Sequence, residues 1–219
     1  GISPFIFNFV GGCGIMGLMR NKNMMEGQKM KIEQYVMAYG VEQDRLRAIL
    51  PNGFISLRPV LRINAEIRDE TNGYVEFNIA VEKDGNKGWL NIDYWNDVPF
   101  ERSGNTVVFK TDFLEISFTG VGITGSCPAE KDNAGCYFIV DTEVLRKPEV
   151  ITANKEFCDC EFSWKFTDSD AHGKSIGKTL PAIPTEIKTI YPKLDFTVEN
   201  AAQIPCNQVL GTYVVKFNR

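Results

Sequence analysis

Gly12, Gly14 and Gly17 spell G-x-G-x-x-G directly after an apolar run, Phe5 to Val10. In a dinucleotide-binding unit such glycines allow a tight turn and let backbone N–H groups approach a pyrophosphate. That unit also needs a following helix and a second strand ending in an acid. Here Arg20 to Gly27 is polar, Met-rich and ends in glycine, so residues 1–30 read as an N-terminal arm. Cys158-Asp159-Cys160 would point two thiols to one face of a strand, a spacing that permits a metal pair. Small side chains filling a sheet face are the plainer reading. His172, the single histidine, stands near Asp170, Ser163, Ser169 and Ser175, the residue types of nucleophilic acyl transfer. No G-x-S-x-G elbow accompanies it, and Asp168–Gly173 reads as a polar loop. Asp93, Asp97 and Asp112 offer oxygen donors for a cation but lack EF-hand spacing. No metal site and no cofactor are expected. Tyr74, Trp89, Tyr94 and Trp95 suit the wall of an apolar small-molecule cavity and suit core packing equally well.

The chain that must position these groups has 219 residues, 43% hydrophobic and 24% charged, with a net charge of −4. That composition is globular, and mild acidity without a basic stripe argues against a nucleic-acid binder. Arg20 and Lys22 follow the apolar run instead of preceding it, and the run is rich in glycine. Neither a leader nor a membrane span is therefore expected. The six cysteines form no C-x-x-C pair and are too few for a disulfide scaffold, which makes the cytoplasm the default compartment.

Tyr35–Tyr39 reads as a strand. Val41–Leu50 reads as a short helix with Val41, Leu46, Ile49 and Leu50 on its apolar side, stopped by Pro51-Asn52-Gly53. Further strands are expected at Ile55–Leu57, Val60–Ile67, Tyr74–Glu82, Gly88–Tyr94, Thr106–Phe109, Leu114–Thr119, Gly135–Val140, Glu156–Thr167, Thr185–Val198 and Val209–Phe217. Turn signals separate several of them, at Thr71–Gly73, Lys83–Asn86, Ser103–Asn105, Lys131–Asn133 and Asp168–Gly173. Some ten strands at hairpin spacing predict a mainly β (α+β) fold: an antiparallel sheet that closes or folds on itself. Residues 31–219 read as one domain with one short N-terminal helix.

One stretch has a more specific form. The strand and helix of Tyr35 to Leu50 end in L-P at Leu50-Pro51, and a strand carrying P-V-L-R follows at Pro59–Arg62. Gly73-Tyr74-Val75-Glu76 then leads an apolar strand, and Gly88-Trp-Leu-Asn-Ile-Asp-Tyr-Trp-Asn-Asp97 follows. This order resembles the acetoacetate decarboxylase-like superfamily, whose run reads strand, helix, L-P, P-L-V-R, C-Y-x-E and G-x-Y-x-x-x-x-Y-x-D-N. The match covers residues 33–97. The resemblance implies a large antiparallel β barrel or cone around a small-molecule cavity, with the helix outside.

The family's chemistry uses a lysine amine that attacks a β-keto acid, and the protonated imine accepts the electron pair as CO₂ leaves. A second lysine and an apolar cavity lower that amine's pKa. The family's Pro-Lys-Lys signature is missing here; Phe109 falls on the nucleophile and Lys110 on its neighbour, so Lys110 is the candidate amine. Glu76 falls on the family's cavity acid and is the candidate acid or base. A second family acid falls on Asn64, with Glu66 two residues on and on the same face. A family arginine falls near Glu33, and Arg62 matches the arginine of P-L-V-R. Arg62, Asn64, Glu66, Tyr74, Trp89 and Tyr94 are thus the expected ligand-binding residues. The expected function is binding of an oxo acid or related apolar ligand, either as a lyase acting on a keto acid or as a non-catalytic β-barrel binding protein. The expected partner is that small molecule, with self-association through Phe5, Ile6 and Phe7 a further expectation.

Overall fold

The computed structural model describes residues 29–56, 58–127, 133–149, 155–166, 169–174 and 186–218, together with Asn8–Phe9 and Ile15–Met16. The last two are short antiparallel strands, β1 and β2. The glycines of the G-x-G-x-x-G run lie outside the described residues. The main sheet is built from β3 (Lys31–Gly40), β4 (Val60–Arg68), β5 (Asn72–Lys83), β6 (Asn86–Val98), β7 (Phe100–Ser103), β8 (Thr106–Lys110), β9 (Leu114–Cys127), β10 (Asn133–Val140), β11 (Glu143–Glu149), β12 (Lys155–Phe166), β13 (Ser169–Lys174) and β14 (Gln208–Asn218). The helices are α1 (Gln43–Ile49) and α2 (Val198–Ala202).

Strand order is β11-β10-β6-β5-β4-β3-β14-β12-β9-β8-β7, with β13 paired to β12. The sheet is mixed, not wholly antiparallel as expected: β10 runs parallel to β6, because the chain returns to that edge only after building β7, β8 and β9. Among the described residues the pairing path is open, with β11 and β7 at its ends. The chain itself forces the sheet to curl. Only Pro99 separates β6, near one end of the path, from β7 at the other. The two therefore meet in space: the Lys110 N–H donates to the Pro99 carbonyl at 3.1 Å, and the Trp95 and Phe113 rings stack at 6.4 Å. Arg102 of β7 also reaches Glu33 of β3 with two bonds of 3.0 Å.

Local chemistry explains the hairpins. Asp84 and Gly85 both have positive φ, 51° and 76°, between the paired residues Lys83 and Asn86. This is the two-residue turn that matches strand twist, and Asp-Gly tolerates it. Three strands of the main sheet escaped the sequence reading: β7 and β11 are short or lie at an edge, where Pro148 is tolerated, and β13 is polar. His172 thus lies on a strand opposite Ser163, not in the predicted loop. Over its described residues the expected strand at Ile55–Leu57 is one bridge, Ile55 to Glu82.

The expected strand Thr185–Val198 is absent over its described residues. Residues 186–195 run as a strap along α1, with three of their amides bonded to the helix. The Lys188 and Thr189 N–H groups donate to Asp44 Oδ2 at 2.9 and 2.8 Å, and the Leu194 N–H donates to the Ala48 carbonyl at 3.0 Å. The strap leads into α2, a second helix that was not predicted. The Thr197 hydroxyl caps it by accepting from the Asn200 N–H.

The principal core lies on one face of β3–β6. Tyr35, Met37, Leu61, Ile63, Phe77 and Ile79 meet Phe109, Ile116 and Phe118 from the curled-over half of the sheet. The gap among these residues is ≈ 10 Å³, about the space of a single water. Among the described residues no helix is long and apolar enough to cross a membrane. Cys136 is disulfide-bonded, which the cysteine count did not anticipate.

Candidate active site

The opposite face of β3–β6 is where polar chemistry collects. Period-two alternation sends Leu61, Ile63, Ala65 and Ile67 of β4 to the core and Arg62, Asn64, Glu66 and Arg68 to the other side. In β5 the same rule sends Val75, Phe77 and Ile79 to the core and Tyr74, Glu76 and Asn78 across from them. Gln34, Val36 and Ala38 of β3 complete the face. A register shift in β6 beside Phe77 and Asn78 skips Ile92, so that Asn91 faces Asn78 and Tyr94 faces Glu76. A sheet with one wet side would leave this set in water. Instead all of it but Ala38 and Tyr94 is buried, Glu66 and Glu76 to 0% exposure.

Cross-strand register makes the contacts. Asn64 stands opposite Glu76, Arg62 opposite Asn78, and Glu66 between Gln34 and Tyr74. Glu76 Oε1 accepts from Asn64 Nδ2 at 3.0 Å, Asn78 Nδ2 at 3.2 Å and Arg62 Nη2 at 3.5 Å, and Glu76 Oε2 accepts from the Tyr74 hydroxyl at 2.8 Å. Those four donors match the roughly four lone-pair sites of a carboxylate. Glu66 accepts from Gln34 Nε2 at 3.0 Å and Arg68 Nε at 2.8 Å. Asn91 Nδ2 donates to Asn78 Oδ1 at 3.2 Å and so carries the network onto β6.

Aromatic rings hold the guanidinium groups. Arg62 lies 4.2 Å from the Trp89 ring centre and Arg68 lies 3.8 Å from that of Tyr74, both in cation–π range. Tyr74 in turn stacks on Tyr94 at 6.4 Å. Trp89 also packs against two small apolar clusters, one with Cys136 and Phe138, the other with Val60, Ala80 and Leu210. Two arginines and two glutamates leave the array formally neutral. Burial, with the charges of Glu76 and Glu66, holds the Tyr74 hydroxyl well above the usual tyrosine range. Tyr74 therefore stays a proton donor at neutral pH.

No protein-family model matches the chain, and no curated protein sequence matches it. Solved structures do. An acetoacetate decarboxylase from Legionella pneumophila subsp. pneumophila str. Philadelphia 1 aligns over 93% of this chain and 89% of its own, with 12% identity and a TM-score of 0.50. The enduracididine biosynthesis enzyme MppR, complexed with pyruvate, aligns over 90% and 89% with 11% identity and a TM-score of 0.49. An acetoacetate decarboxylase-like enzyme from Sphingomonas wittichii RW1 aligns over 85% and 87% with 9% identity and a TM-score of 0.45. The chain has the acetoacetate decarboxylase-like fold. The structural match thus runs well beyond residues 33–97, where motifs are legible.

Within this fold, Arg62, Asn64, Glu66, Tyr74, Glu76, Trp89 and Tyr94 come together on one face. Lys110 does not join them. It sits on β8 with its side chain 71% exposed, paired to Glu115 at 3.4 Å. Phe109, on the expected nucleophile position, is buried in the apolar core. Glu33, near the expected arginine position, binds Arg102 and Tyr35; these bonds, with the charges of Arg102 and Lys216, outweigh burial and keep its carboxyl below the usual range. Asp93 is half-buried, and burial first, then the charge of Glu199 on α2, raises its pKa. Among the described residues no group of three or more potential metal ligands converges. Cys158 and Cys160 lie on β12, where the register with β9 is irregular.

Gln34, Arg68, Asn78 and Asn91 were missed. Extending Arg62–Asn64–Glu66 and Glu76 by one period would have found Arg68 and Asn78; Gln34 and Asn91 needed the register. Lys147 was missed too. It stands opposite Cys136, which stands opposite Trp89, and desolvation lowers its amine's pKa. An open cleft of ≈ 340 Å³ lies elsewhere, among Lys31, Glu33, Glu70 and Lys216 at the ends of β3, β4 and β14. It is shallow and lacks the convergent buried polar groups of the β3–β6 face.

Proposed function

We propose that this chain binds a small organic acid on the polar face of β3–β6, within a sheet whose curl completes a barrel or cone. The observation that carries the reading is Glu76: fully buried, donated to from four side chains, and set in a neutral array of two arginines and two glutamates. Guanidinium groups are matched to carboxylates by their planar fork, and here aromatic rings hold two of them. The Legionella protein of the same fold is named as an acetoacetate decarboxylase, which adds an oxo acid as a ligand class by analogy of fold alone. Isothermal calorimetry with acetoacetate, acetopyruvate and pyruvate tests the proposal. Saturable heat that disappears in Arg68→Met supports it; no heat at millimolar ligand refutes it.

A second reading, a lyase working through an imine, is favoured by Lys147. Its amine is the described lysine whose pKa is pushed down, and register places it in one row with Cys136 and Trp89. Borohydride reduction in the presence of acetoacetate should then leave a mass adduct in the wild type and in Lys110→Ala but none in Lys147→Met. An unmodified wild type would leave the non-catalytic binding protein as the reading. The disulfide at Cys136 favours an oxidising compartment over the cytoplasm.

A further inference from the structure

We infer that the acid bound on this face carries a hydroxyl donor beside its carboxylate, as a 2-hydroxy acid does. The inference rests on the binding reading above and adds the ligand's class. The buried side-chain atoms of the face without a hydrogen-bond partner include Asn64 Oδ1 and Arg68 Nη2. Asn64 is 1% exposed and Arg68 6%. A buried polar group left unpaired carries a cost that native proteins seldom retain without a use.

Both side chains belong to the polar row of β4. Arg68 Nε is bonded to Glu66 Oε2 and its guanidinium lies over Tyr74, the residue opposite Glu66. The side chain is therefore drawn back along β4 toward position 66. Asn64 is the next residue on that face, about 6.6 Å along the strand. Its neighbour on β3 is Val36, a short apolar side chain beside the longer Gln34, which suits a methyl or short alkyl group.

The two atoms differ in kind. Arg68 Nη2 only donates and needs an acceptor; Asn64 Oδ1 only accepts and needs a donor. An oxo acid presents acceptors alone, so it satisfies the arginine and sets a ketone oxygen against the amide oxygen. A 2-hydroxy acid supplies carboxylate and O–H together. An ammonium is a poorer match, because the carboxylates that would neutralise it already hold arginine and amide donors.

Calorimetry with four acids of equal length, lactate, pyruvate, alanine and propanoate, decides the matter. Lactate should bind at least about tenfold more tightly than pyruvate or propanoate, the effect of one satisfied buried acceptor. In Asn64→Leu, with folding checked by near-UV circular dichroism, the lactate preference should fall to about one while weak carboxylate binding persists. If that variant does not fold, the wild-type series still decides. Pyruvate binding as tightly as lactate, or alanine binding most tightly, overturns the hydroxyl inference and leaves the acid-binding reading standing. Failure of all four acids overturns both.

Discussion

Replacing Glu76 by glutamine removes one charge and almost no volume. Gln Oε1 still accepts from Asn64 and Asn78, and its amide can donate to the Tyr74 oxygen. What is lost is the countercharge to Arg62, whose side chain is 8% exposed and 3.5 Å away. Breaking one side of a buried pair costs about 3–5 kcal/mol; with most hydrogen bonds replaceable, the lower end, about 3 kcal/mol, is expected. For a chain of this size each kcal/mol moves the melting point by about 2–4 °C, so Glu76→Gln should melt about 6–12 °C below wild type. The double variant Arg62→Met, Glu76→Leu removes both charges and should recover most of the loss, since apolar replacement of a whole buried pair is often neutral or stabilising. Recovery should stop short by the lost stacking of Arg62 on Trp89, about 0.5–2 kcal/mol. Thermal melts by near-UV circular dichroism, with urea titrations for the energies, measure all three chains. A Glu76→Gln melting point within about 2 °C of wild type would refute the description of Glu76 as a buried, paired anion.

Lys110→Ala should change stability by less than about 0.5 kcal/mol in urea, because its pair with Glu115 is exposed; a larger loss would mean the amine is not where it is described. Gly73→Ala should destabilise by more than about 3 kcal/mol, since a Cβ there would lie 2.0 Å from the Val98 carbonyl oxygen, a backbone atom that cannot swing away. Gly85→Ala, with φ +76° and open space around it, should cost only about 1–2 kcal/mol, and equal urea midpoints for the two would contradict the packing. The Thr189 N–H, aided by Arg47 and the Lys188 N–H and opposed by burial, holds the Asp44 carboxyl below its usual range. A depressed carboxyl contributes stability above its unfolded pKa, about 3.9, and loses it as pH falls through the folded value. The protection factors of the Lys188 and Thr189 amides should therefore fall in acid in the wild type. In Asp44→Ala, which has no acceptor, they should be low at every pH, and protection that persists in that variant would show the strap is held by something else.

The sequence disclosed the middle of the fold better than its ends. Residues 33–97 alternate cleanly and carry Asp-Gly and Asn-Gly turn chemistry, so β3 to β6 and α1 were legible, as were Arg62, Asn64, Glu66, Tyr74 and Glu76 but not Asn78, which donates to Glu76. The strap was not. Ile187, Ile190 and Leu194 read as a strand, yet they are exposed, and the neighbouring amides bond to α1. Nothing local distinguishes an extended segment that pairs with a strand from one that pairs with a helix. The parallel pairing of β10 was hidden for a related reason: register between strands some forty residues apart is set by the intervening β7–β9 excursion. Lys147 was overlooked because β11, with Arg146, Lys147 and Pro148 in succession, looks like a polar loop.

The alternation of β4 and β5 was also ambiguous in a way that bears on function. Alternating strands normally mean one dry face and one wet face, so Arg62, Glu66 and Glu76 read equally well as groups pointing at water. Burial on both faces changes their meaning. A well-packed apolar set would be as stable as two buried ion pairs, or more so, hence stability alone does not account for keeping them. On the other face the gap beside Tyr35, Ile63, Phe109 and Phe118 is ≈ 10 Å³. On the polar face Glu76 accepts from Arg62, Asn64, Asn78 and Tyr74. Tyr74, whose hydroxyl donates to Glu76, stays protonated at neutral pH because burial and the charges of Glu76 and Glu66 hold its pKa well above the usual range.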